Sequence, residues 1–114
     1  MSVYTYEIYE VEKDRKRDYQ ILMTKIHTSL REHADEIPEL LSYRTFEARA
    51  EGSRTLSVEL FEFADERSSE EFFGRFRNTE WLKTLQKQCL EIVDPSKMTV
   101  HTWTGFLEKD WFVR

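Results

Sequence analysis

The residues from Leu56 to Leu85, LSVELFEFADERSSEEFFGRFRNTEWLKTL, constrain the fold more than any other stretch of the chain. From Thr55 to Phe63, Leu56, Val58 and Leu60 alternate with Thr55, Ser57, Glu59, Phe61 and Phe63, the two-residue period of a strand. Asp65 ends that strand. Ser68-Ser69-Glu70-Glu71 then offers a capping box, with Ser68 as N-cap and Glu71 at the third helical position. The helix that follows buries Phe72, Phe73 and Phe76 before meeting Asn78-Thr79. Asn78 is suited to cap a second segment, with Leu82, Leu85, Cys89 and Ile92 facing inward. The pattern predicts a helix broken near Asn78.

The remaining elements follow from the same two periods. Val3 to Val11, VYTYEIYEV, is rich in β-branched and aromatic residues. One face carries Tyr4, Tyr6 and Ile8, the other Val3, Thr5, Glu7, Tyr9 and Val11, and neither is cleanly polar. From about Asp14 the period becomes helical. Tyr19, Leu22, Met23, Ile26 and Leu30 form one apolar stripe, with Ile21 as the misfit. Pro38 disfavours helix at Ile37, so this helix ends near His33–Asp35 and Glu36-Ile37-Pro38-Glu39 makes a turn. A strand from about Leu41 to Ala50 and a hairpin at Glu51-Gly52-Ser53 lead into the Thr55–Phe63 strand. Asp94-Pro95 turns the chain into a last strand, Lys97 to Gly105, and a tail, Phe106 to Arg114, carries Trp111 and Phe112.

The order is β-α-β-β-α-β. Right-handed crossovers make this an α+β, ferredoxin-like chain: a four-stranded antiparallel sheet with two helices on one face. At 114 residues, with three glycines and two prolines, the chain reads as a single domain of residues 1–114 with its core at 3–105. The strands offer no clean polar face, so the open side of the sheet is expected to pair with a second copy. The net charge of −5 is spread evenly, with no basic face for a phosphate backbone, so nucleic acid is not an expected partner. The basic run Lys13-Asp14-Arg15-Lys16-Arg17 is diluted by Asp14 and Asp18 and reads as a solvated first helical turn. One cysteine, Cys89, suits a reducing compartment, and no apolar run approaches the roughly 18–20 residues of a membrane span. A cytoplasmic protein without membrane contact is the expectation.

Several short motifs go further. Glu59-Leu60-Phe61-Glu62-Phe63, Ser69-Glu70-Glu71-Phe72, Phe76-Arg77-Asn78-Thr79-Glu80-Trp81 and Leu85 resemble the antibiotic-biosynthesis monooxygenase-like (ABM) proteins of the dimeric α/β-barrel superfamily. Pro95 with Val100-His101-Thr102-Trp103 is similar to their terminal strand, and Glu36-Ile37-Pro38 with Leu41-Ser42-Tyr43 to their turn into the second strand. NIPSNAP-like proteins share this barrel, and the Val3–Val11 strand suits them equally. The resemblance implies a homodimer joined through sheet faces and a ligand site between helices and sheet. It covers about residues 3–105. Haem-degrading relatives use a histidine on the second long helix and an asparagine on the first strand. This chain has no histidine from Ser68 to Val93 and no asparagine in its first strand, which argues against haem chemistry.

His101 is mid-strand, and in a 4-1-3-2 sheet it lines up with Glu7 and Glu59 if the register permits. A carboxylate beside an imidazole tunes it as a base, and two carboxylates with one histidine also suit a metal. A hydrogen-bonded row equally explains itself without a reaction. Tyr6, Phe72, Phe76, Trp81 and Trp103 are the expected pocket walls for a flat ligand, though plain core accounts for aromatics too. His27 and His33 lie six residues apart on the first helix and do not share a face. There is no phosphate loop, cofactor fingerprint, metal-ligand spacing or nucleophile motif, so no cofactor is expected. The expected function is binding of a small hydrophobic or aromatic molecule between helices and sheet. The narrower alternative is a cofactor-independent monooxygenase of an electron-rich aromatic, with His101 as base.

Overall fold

A computed structural model describes residues 2–49, 52 and 54–104. Four strands, β1 (Val3–Val11), β2 (Leu40–Arg49), β3 (Thr55–Phe63) and β4 (Thr99–Thr104), form one antiparallel sheet in the order β2-β3-β1-β4. Helix α1 (Lys16–Glu32) crosses from β1 to β2, while α2 (Glu66–Gly74) and α3 (Glu80–Leu90) cross from β3 to β4. This is the ferredoxin-like arrangement, with all three helices on one face. The anticipated Ala50, Glu51, Ser53 and Gly105 boundaries and the 106–114 tail lie outside the described residues. Gly52, between β2 and β3, has φ +72°, a left-handed conformation that glycine adopts without a Cβ clash.

Register assigns the faces. In β1, Val3, Thr5, Tyr9 and Val11 are buried beneath the helices, and in β3 so are Ser57, Glu59, Phe61 and Phe63. Tyr4, Tyr6 and Ile8, with Leu56, Val58 and Leu60, occupy the open face and stay partly exposed. The α1 stripe behaves as its spacing dictates: Tyr19, Leu22, Met23 and Ile26 are buried, whereas Ile21 is 60% exposed. Two apolar clusters result. Tyr9, Val11, Tyr19, Met23, Ile26, Leu85, Ile92 and Val93 fill one end; Ile37, Phe61, Phe63, Phe72 and Leu82 fill the other.

The second crossover departs from expectation in its caps. Helix α2 starts three residues early, with Asp65 rather than Ser68 as N-cap: the Asp65 carboxylate accepts from the Ser68 backbone N–H at 2.8 Å. A single residue, Ala64, separates the strand end from this cap, so the chain turns at once and Asp65 takes the position first. The break is where it was expected, but Thr79, extended at φ −118° and ψ 111°, is the N-cap of α3. Asn78 instead closes a 3-10 turn, Arg75–Arg77, that follows Gly74. Glycine and asparagine are weak helix formers, and here they bracket the point at which the helix fails. Arg75 donates in bidentate fashion to Glu39, tying the break to the turn before β2.

Candidate functional site

Between the two core clusters lies a cavity of about 230 Å3. Its floor is sheet: Glu7 from β1, Glu59 and Phe61 from β3, and Tyr43 from β2. Ile26 and Leu30 of α1 form one wall, Phe72, Phe73 and Phe76 a second, and Leu82, Leu85 and Cys89 of α3 a third. Leu90, 46% exposed, also lines the cavity and sits toward solvent. The phenylalanines pack mainly edge-on or tilted, Phe72 and Phe76 at 82° with centroids 5.6 Å apart.

Glu7 and Glu59 are direct cross-strand partners. Like charges facing one another across a ladder repel, and burial adds a desolvation cost. Glu59 is 5% exposed, and Glu7 is partly buried. Burial, then the Glu59 charge, then the hydrogen bond to Glu59, push the Glu7 carboxyl up to about 8. Burial raises Glu59 as well, opposed by the hydrogen bonds from Tyr43 and Glu7. The pair therefore holds a proton at neutral pH and titrates as a unit. The Tyr43 hydroxyl donates to Glu59 Oε1, and burial followed by the Glu59 charge raises the Tyr43 phenol far above its ordinary value. The Tyr9 hydroxyl, on a residue 1% exposed, lies beside Glu59 and Cys89 without a hydrogen bond of good geometry. Burial, then the Glu59 charge, push the Cys89 thiol up to about 12, so it is an inert wall group.

The expected row of Glu7, Glu59 and His101 breaks. Glu7 pairs with Val100, and His101 with Tyr6, so the inward row reads Thr45, Glu59, Glu7, Val100. His101 points the other way, because one residue of register reverses the face. It is neither a base for this cavity nor a third ligand beside the two carboxylates. Tyr6 and Trp103 are likewise on the open face, in a tilted contact with ring centroids 4.3 Å apart and planes at 46°, and are not pocket walls. Trp81 packs against both core clusters with its ring stacked on His33 at 4.2 Å and 17°, outside the cavity lining. Phe72 and Phe76 do line it. Tyr43 and Cys89 were not singled out as site residues. The hairpin contains the signal for Tyr43: pairs from Ser42↔Glu62 to Arg49↔Thr55 are symmetric about Gly52, which puts Tyr43 opposite Phe61 and Thr45 opposite Glu59.

No protein-family model and no curated protein matches this chain. Solved structures do match in fold. A NIPSNAP family protein from Agrobacterium tumefaciens is 12% identical, with 95% of this chain and 98% of that one aligned at a TM-score of 0.67. A dimeric ferredoxin-like protein of unknown function from Jannaschia is 15% identical over 91% and 99% of the two chains, at 0.65. A candidate antibiotic biosynthesis monooxygenase from Bacteroides thetaiotaomicron is 12% identical over 93% and 90%, at 0.63. The ABM-like and NIPSNAP-like resemblance read from the motifs is thus met at the level of fold. No helix among the described residues is long and apolar enough to cross a membrane.

Proposed function

We propose that this protein binds a small hydrophobic or aromatic molecule in the cavity between its helices and sheet. The observation that carries this reading is an apolar chamber with a buried carboxyl pair on its floor. Apolar walls with a few convergent polar groups are the usual make-up of a ligand site. Its volume, about 230 Å3, falls below the roughly 300–1,000 Å3 of drug-sized pockets, which favours a compound of one or two rings. The test is an NMR titration with 1-naphthol. Shifts are expected at the methyl groups of Ile26, Leu82 and Leu85, and Leu90→Trp should suppress them by filling the rim. Absence of shifts, or identical shifts in the variant, defeats the reading.

The narrower alternative, a cofactor-independent monooxygenase, draws on the same floor. There the base that deprotonates a phenol or quinol is the Glu7–Glu59 pair, and the substrate itself supplies electrons to O2. Oxygen uptake with a quinol panel, lost in Glu7→Gln, would favour it; uptake unchanged by that variant would count against it.

The open sheet face supports a homodimer. Phe46 (49% exposed) and Trp103 (54%) sit on it beside Tyr4, Tyr6, Val58 and Leu60, and among the described residues no helix covers them. A fold neighbour of dimeric build adds support. Sedimentation equilibrium should give twice the 13.8 kDa chain mass, and Trp103→Glu should lower it. A stable wild-type monomer at micromolar concentration would remove the dimer.

A further inference from the structure

The cavity is unbalanced in charge and in hydrogen-bonding capacity. Its floor holds two carboxyl groups on adjacent strands, and among its described lining residues there is no lysine, arginine or histidine. Its other polar groups are the Tyr43 hydroxyl, the Gln86 amide and the Cys89 thiol. Two carboxylates offer four oxygens and about eight lone-pair acceptor sites. Tyr43 serves one Glu59 oxygen, and the hydrogen bond between the two carboxyls serves another. The Tyr9 hydroxyl, buried beside Glu59, is left without a partner of good geometry. A buried carboxylate without a cation must hold a proton or meet a positive charge from elsewhere.

Resting on the reading of this cavity as a ligand site, we propose that its occupant is a small hydrophobic amine. Its ring or chain lies among Phe61, Phe72 and Phe76, and its ammonium group sits against Glu7 and Glu59. An ammonium brings up to three N–H donors to the acceptors left over on the floor, and a positive charge where none of the described lining residues supplies one. An anion meets like charge, and a neutral ligand leaves the pair to keep its proton. Seating the ammonium ejects the proton that the pair holds at neutral pH. No bond to carbon is made or broken.

Three probes of one shape provide the test: 1-naphthylmethylamine, 1-naphthylmethanol and 1-naphthoic acid, titrated calorimetrically into the full chain. The amine is expected to bind about tenfold tighter than the alcohol, with the acid weakest. Its affinity should climb by close to tenfold between about pH 6.5 and 7.5, one proton being displaced, while that of the alcohol stays level. Glu7→Gln should bring amine and alcohol within about threefold of one another. Glu59→Gln should do the same, and if that buried variant fails to fold, Glu7→Gln and the wild-type pH profile decide the matter. An alcohol that binds as tightly as the amine overturns the cation assignment and leaves the cavity reading standing. A flat pH profile for the amine also overturns it. If none of the three binds, both readings fall.

Discussion

Replacing Glu7 with glutamine should make the protein more stable in mild alkali and remove much of the pH dependence of its folding. Unfolded, the Glu7 carboxyl titrates at its ordinary value of 4.5; folded, it titrates at about 8. Between those values the folded chain holds a proton that the unfolded chain has released. The resulting stabilisation is complete below the unfolded value and is lost as pH rises through the folded one. Linkage sets the slope at about 1.4 kcal/mol per pH unit for one proton, so the wild type should lose about 4 kcal/mol between roughly pH 5 and pH 8. Burial raises Glu59 in the same direction and adds to the loss. Glutamine keeps the shape and can donate to Glu59, but it has no proton to lose. Urea unfolding at pH 5, 6.5 and 8, at fixed protein concentration so that assembly does not confound the comparison, supplies the three free energies. The wild-type curve should fall and the Glu7→Gln curve should be flatter by about one proton. Parallel curves would refute the shared-proton account of the pair.

Three further expectations bear on the surroundings of that pair. Phe72, fully buried among Phe61, Phe63, Phe73 and Phe76, should cost about 3–5 kcal/mol when cut to alanine, measured by urea midpoint and slope. Cys89 should resist iodoacetamide at about pH 8 while the chain is folded and react freely in urea; rapid labelling of the native protein would show that the thiol is not held in its protonated state. Asp65→Ala should speed amide exchange at Ser68 several-fold, whereas Ser68→Ala should leave the helix start unchanged; the reverse order would restore Ser68 as the cap.

Much of the fold was legible because the two periods are strong in this chain. The runs Val3–Val11 and Thr55–Phe63 are strands at their expected ends, and the Tyr19–Ile26 stripe is the buried face of α1. The site was legible only in part. Period two divides β1 into two sets of side chains but does not say which set lies under the helices, and both sets are aromatic. Tyr6 and Trp103 were therefore given to the cavity although they belong to the opposite surface. His101 failed for a related reason: nothing local distinguishes its register from that of Val100, one residue away. The caps of the second crossover were ambiguous because Asp65 and Ser68 are both good N-cap residues, and only the one-residue link from β3 favours the first. Tyr43 could have been placed by counting outward from Gly52, since a hairpin imposes its own symmetry.

The position of Glu7 and Glu59 on two paired inner strands has an evolutionary consequence. Their separation is set by the main-chain ladder between β1 and β3, which most substitutions leave untouched. The surrounding walls are side chains from α1, α2 and α3, and each can be exchanged singly. Selection acting on this protein can thus alter the shape of the chamber step by step while its acidic floor stays in register. A lineage built on this plan would be expected to diversify in what it accommodates at the helices before it changes how the bound molecule meets the sheet.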